Sequence, residues 1–193
     1  MSKLISAILA VLLLASMLSG CGNQNDSEQP TQTTSPTATG EVASTDVPNG
    51  LQGELSSIID EIYANKDAGI AVETKAVDVG DADSIKYFTG LSGADKIEEA
   101  FVSEAMMSSQ AYSLVLVRLK DGADAQDVAQ AMKDGIDTRK WICVEADDLR
   151  VAACGDVVML IMVSSALSDT VTAAQIVDAF SAVCGGTLTV DLK

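Results

Sequence analysis

The chain has 193 residues, 28 acids against 12 bases, and a formal net charge of −16. It contains no histidine, which excludes Ser-His-Asp and Cys-His nucleophiles, a His-ligated zinc and an imidazole pH switch. The acidity argues against nucleic acid, whose phosphates require clustered Lys and Arg, and an aromatic share of 4% predicts a mostly aliphatic core.

Residues 1–20 read as a signal segment. Met1-Ser2-Lys3 is a short positive start, and Leu4 to Leu18 is an apolar run of 15 residues. A membrane-spanning helix needs about 20, so this run fits the core of a signal peptide instead. It ends in Leu18-Ser19-Gly20-Cys21, which resembles the bacterial lipobox. That resemblance implies diacylglycerol on Cys21, cleavage before it, and anchoring by two acyl chains on the extracytoplasmic face of the cell membrane.

Residues 21–49 carry the lipidated Cys and a flexible tether. Pro30, Pro36 and Pro48 are the chain's three prolines; the acids are Asp26, Glu28, Glu41 and Asp46, with no Lys or Arg. Polar Ser/Thr/Pro/Gln composition without periodicity cannot form a core; a glycosylated stalk is the other reading. A tether of this length has a root-mean-square span of roughly 30 Å, which keeps the domain near the membrane.

Residues 50–193 form one domain. Leu51, Leu55, Ile58, Ile59 and Ile62 share one helical face. AVETKAVDV, from Ala71, reads as a short edge strand, and DADSIKYFTG as a helical turn closed by Gly90. Strands are predicted at 98–107 and 112–120, then a helix from Asp124 with Val128, Met132 and Ile136 in its stripe. A hairpin follows over 149–154 and 157–164. Its second strand begins with the continuous apolar run VVMLIMV and is placed centrally. A helix over 170–184 and a short strand TLTV complete the order. The predicted fold is α+β: two layers, a largely antiparallel sheet of four to five strands, and about three helices.

Several pieces resemble an uncharacterised Gram-positive, clostridial-type lipoprotein family, domain of unknown function 4358. They are Tyr87-Phe88-Thr89-Gly90-Leu91, Met106-Met107, the strand Ala111 to Val117, Lys120 to Asp124, Lys140-Trp141-Ile142-Cys143, Gly155-Asp156-Val157-Val158 and Ala179-Phe180. Many members carry Pro where this chain has Ala105. The resemblance spans roughly half the chain and implies a signal, tether and domain architecture. It implies no activity.

Candidate binding residues are Arg139, Lys140, Trp141, Met107 and Tyr112. Arg139 and Lys140 are bases in an acidic domain, beside the sole Trp, which reads as a recognition platform or as cover for the sheet edge. Met106, Met107, Met159 and Met162 read as core fillers or as a methionine-rich peptide groove. Met107-Ser108-Ser109-Gln110 is a hairpin loop or a site rim. Cys143 and Cys154 pair only if their strands are neighbours, and Cys184 reads as a core residue. Asp78, Asp81 and Asp83 miss the twelve-residue calcium pattern. The expectation is a non-enzymatic binding or interaction domain, without cofactor, whose partner is a protein or envelope component. The alternative is a small-ligand or divalent-metal accessory domain of a membrane system.

Overall fold

The computed structural model describes residues 51–193; Cys21, the signal segment and residues 22–49 lie outside these. Six strands form one antiparallel sheet: β1 (Val72–Ala76), β2 (Ile97–Ala105), β3 (Tyr112–Leu119), β4 (Asp148–Cys154), β5 (Val157–Val163) and β6 (Val190–Leu192). Their order is β1-β2-β3-β5-β4-β6. Four helices accompany them: α1 (Leu55–Asn65), α2 (Ala82–Thr89), α3 (Ala125–Gly135) and α4 (Ala173–Val183), with a single 3₁₀ turn at Ser165–Leu167.

The α+β class and the antiparallel sheet match the sequence reading. The sheet has six strands and four helices pack with it, above the expected counts: AVETKAVDV and the C-terminal residues both pair at the sheet's edges, and DADSIKYFTG forms a full helix, α2. The layering differs as well. Val115, Val117, Val151, Ala153, Val158 and Leu160 pack towards α2 and α3. Leu114, Leu116, Ala152, Cys154, Met159 and Ile161 pack towards α1 and α4. The sheet is therefore the middle of three layers. Strands covered on both sides lose their polar alternation, which is why every residue of β5 is buried.

Local signals set the helix ends. Asp124 accepts the amide of Asp127 at the start of α3, and Thr172 and Gln175 form a reciprocal capping box on α4. Gly90 closes α2 at φ 77°. There the chain presses on the end of α3: a Cβ on Gly90 would lie 2.4 Å from the amide nitrogen of Ile136. Gly122, at φ +79°, has nothing within 4 Å of such a Cβ. Gly122→Ala should therefore cost only the conformational penalty, about 1 kcal/mol, while Gly90→Ala adds a backbone clash and should cost about 2–4 kcal/mol. Urea unfolding of both variants separates the two effects, and equal losses would contradict the close packing of α2 on α3.

Candidate functional site

The sheet has two distinct ends. At one, Arg118 of β3 sits beside Glu99 and Asp156, at 3.0 and 3.1 Å. Its guanidinium also donates to the carbonyls of Leu51 (2.8 Å) and Gly53 (2.6 Å), fixing where the chain joins the domain. At the other end lie the β2–β3 turn, the loop of residues 136–147, and the start of β4. Arg118 and Tyr112 lie six positions apart on β3, about 20 Å.

Four of the seven resembling segments, Tyr87–Leu91, Met106-Met107, Ala111–Val117 and Lys140–Cys143, supply this second end, as do the five candidate residues, whereas Lys120–Asp124 and Gly155-Asp156 lie at the Arg118 end. Lys140 is not a surface cation. Its side chain is 1% exposed, with Nζ 2.6 Å from Glu104 Oε1 and donating to Ser113 Oγ at 3.2 Å. Glu104 and Ser113 face one another across β2 and β3, so the strand register builds the acceptor pair. Around the ammonium stand the rings of Tyr87 (4.8 Å), Trp141 (5.2 Å) and Phe88 (5.3 Å). Their negative faces complement the cation. Desolvation by burial is the main reason the ammonium's pKa is lowered, opposed by the charge of Glu104.

A serine hydroxyl beside a buried lysine is the geometry of a Ser-Lys nucleophile pair. Here Ser113 is fully buried and Glu104 holds the ammonium, so substrate cannot reach the hydroxyl in this conformation. The cluster acts as a pin, seating the 136–147 loop on the sheet.

Arg139 is exposed and pairs with Glu145 at 3.0 Å. With Tyr87 and Lys86 it lines an open cleft of about 410 Å³ that also carries Asp83 and Asp137. Trp141 packs partly buried against the core, which agrees with its reading as cover. Tyr112 is fully buried and is not available at the surface: its position on β3 turns the ring towards α1. Its hydroxyl donates to that of Tyr63, which donates to Ser103 Oγ, which also receives Thr74. This chain of hydroxyls fastens α1 to β1, β2 and β3. An apolar-looking β3 gave no signal that a buried Tyr needed a partner on α1.

The methionines divide. Met159 and Met162 are buried, as core fillers. Met106 and Met107 are 69% and 58% exposed, and Ile142 on the neighbouring loop is 81% exposed. The turn carries these methionines outwards because pairing of β2 with β3 ends at Glu104–Ser113. Beside Ile142, Cys143 is exposed and holds φ 68°. Cys143 precedes the start of β4, whereas Cys154 ends it, so the strand's length separates them and they do not pair. Asp78 and Asp81 accept amides of Gly80 and Asp83, the roles of turn and cap residues. Among the described residues no group of three or more Cys, Asp or Glu side chains converges as a metal site requires.

All three tyrosines, Tyr63, Tyr87 and Tyr112, are held above the usual phenol pKa, chiefly by burial. The folded chain thus keeps phenolic protons that the unfolded chain releases near pH 10. Their contribution to stability is complete below about pH 10 and is lost above it. Lys140 has the opposite sign: with its folded pKa lowered, stability rises with pH towards the ordinary lysine value. Three groups against one give a net loss from about pH 10 upwards. Urea midpoints should fall between about pH 9 and about pH 11, and tyrosinate absorbance should rise together with unfolding. Full tyrosinate absorbance in a still-folded chain near pH 10 would contradict the buried hydroxyl network.

Compared with known proteins, the chain matches no family model, no curated protein and no solved structure.

Proposed function

We propose that this chain is a lipid-anchored extracytoplasmic binding protein without catalytic function, which holds its domain near the membrane and engages a protein partner through the β2–β3 turn and the 136–147 loop. The observation carrying this reading is the polarity of the sheet. The chain joins at the Arg118 end, and the exposed Met106 and Met107 lie on the turn at the far end. A domain hung from Leu51 would present these side chains away from its attachment. Methionine adapts to varied apolar partners, and exposed large apolar side chains grouped at one end mark interaction surfaces more than chance exposure does.

The LSGC motif, the polar tether and the family resemblance support the anchor. Lys140, sealed in its aromatic enclosure, serves by seating the loop that carries Ile142, not by touching the partner.

The test is photo-crosslinking of the intact lipoprotein in its own membranes. A crosslinker at position 107 should capture a single protein, and the adduct should disappear when Cys21→Ala removes the anchor. The same crosslinker at Glu54, exposed near the Arg118 end, should capture much less of it. Equal capture from both positions would sink the assignment of the surface. Turnover by the purified protein, abolished by one substitution, would sink the non-enzymatic reading.

A further inference from the structure

We propose that Cys154 and Cys184 are a disulfide-forming pair, closed by a small-molecule disulfide donor through a mixed disulfide on Cys184. The two residues are 30 positions apart in sequence but meet where α4 returns to the sheet. Gly185 and Gly186, both at positive φ, turn the chain after α4. The amide of Thr189 then donates to the carbonyl of Ala153 at 2.8 Å, and Val190 stands in register with Ala153. This return places the end of α4 beside the last residue of β4. Cys154 points to the α1/α4 side of the sheet, in the cluster against which Cys184 packs. The Cys154 thiol is among the groups whose electrostatics act on the Cys184 thiol. Both are free thiols in this structure.

The exposures set the order of steps. Cys154 is buried and Cys184 only half-buried, so a donor reaches Cys184 first. Cys184 gives its proton to solvent, and its sulfur attacks one sulfur of the donor. The donor's S–S bond breaks, a Cys184–donor bond forms, and one donor thiolate leaves. Cys154 then loses its proton and attacks the Cys184 sulfur. The Cys154–Cys184 bond forms, and the second donor thiolate departs. Two protein thiols lose two electrons and two protons, and the donor gains them as two thiols. Burial raises the Cys184 thiol above its ordinary pKa, and the Cys154 thiol raises it further. Little thiolate exists at neutral pH, so closure should be slow there and should speed up with pH.

The bond would tie the end of α4 to the β4–β5 turn, two residues from Asp156 and thus at the end of the sheet held by Arg118. The exposed Cys143 is left out.

The experiment treats the reduced full-length chain with oxidised glutathione, blocks remaining thiols by alkylation and maps peptides by mass. The expected product is a peptide pair joined through Cys154 and Cys184, two hydrogens lighter, with Cys143 carrying glutathione or the alkyl group. In Cys154→Ser, Cys184 should stop as the glutathione mixed disulfide. The oxidised wild type should melt about 5–10 °C above the reduced form and return on treatment with dithiothreitol. A bond from Cys143 to either partner, Cys184 persisting as a mixed disulfide in the wild type, or a lower melting temperature on closure would overturn the proposal.

Discussion

Lys140→Met is expected to destabilise the domain by about 3–5 kcal/mol, the range for removing one member of a buried ion pair. The loss comes less from the attraction that disappears than from what remains. Glu104 Oε1 has no hydrogen-bond partner besides its contact with this ammonium, and the substitution would leave that carboxylate in a site lined by Tyr87, Phe88 and Trp141. Replacing both charges with apolar groups removes the stranded carboxylate, so Lys140→Met with Glu104→Met should recover more than half of the loss. Arg139→Ala is the contrast. Its pair with Glu145 is also in contact, at 3.0 Å, but both side chains are more than half exposed, and its loss should stay within about 0.5 kcal/mol. Urea unfolding followed through Trp141, the chain's one tryptophan, reads all three variants. A single-mutant loss below about 1 kcal/mol would mean that Glu104 is solvated and that Lys140 is not a pin.

The pin explains why the candidate site was only half legible. The residues were found, because an Arg-Lys-Trp run is conspicuous in an acidic chain, but Lys140's accessibility was misjudged. A lysine of ordinary sequence context reads as exposed, since its charge is costly to bury. What overrides that prior is Glu104, 36 positions earlier, together with a register that sets it opposite Ser113. Neither follows from the loop's own sequence. Tyr112 misled for a related reason: the hydroxyl that satisfies it belongs to Tyr63 on α1, 49 positions away. Met106 and Met107 read as core by composition, but they lie just past the last paired residues of β2. Strand ends are where sequence patterns are least sharp.

Most of the fold was legible. The α3 stripe, the Asp124 cap, the hairpin at Gly155-Asp156 and the central β5 all follow from local chemistry and periodicity. The third layer could have been read from the same letters. VVMLIMV and most of YSLVLVRL are apolar on both alternating sets, and two-sided burial demands cover on two faces. The run already implied that the helices divide, with α1 and α4 on one face and α2 and α3 on the other. Which helix goes to which face depends on the crossover that puts β5 between β3 and β4, and no local signal carries that.

Arg118 is the second point at which one side chain decides a large effect. It binds both the sheet's charged end and the chain's first described backbone groups, taking two carboxylates and two carbonyls at once. A planar guanidinium can serve that many acceptors, whereas a lysine ammonium cannot reach them together. Arg118→Met should therefore cost about 2–3 kcal/mol, from the charge-assisted hydrogen bonds lost. Asp156 would lose its ion-pair contact while its other oxygen is already buried without a hydrogen-bond partner among the described residues. Arg118→Lys should recover part of this by restoring charge near Glu99 and Asp156, but not the hold on Leu51 and Gly53. Hydrogen exchange distinguishes the two roles. In both variants the amides just before α1 should exchange at least about tenfold faster, while those of β3 and β5 speed up only as far as the loss of global stability requires. Were Arg118→Lys to protect the residues before α1 as well as arginine does, the carbonyl contacts would be incidental. With protection lost, the residues before α1 would be loosened without disturbing the opposite end of the sheet, and crosslinking from position 107 in that variant would show whether, under the proposed anchoring, presentation of the methionine turn depends on a fixed attachment.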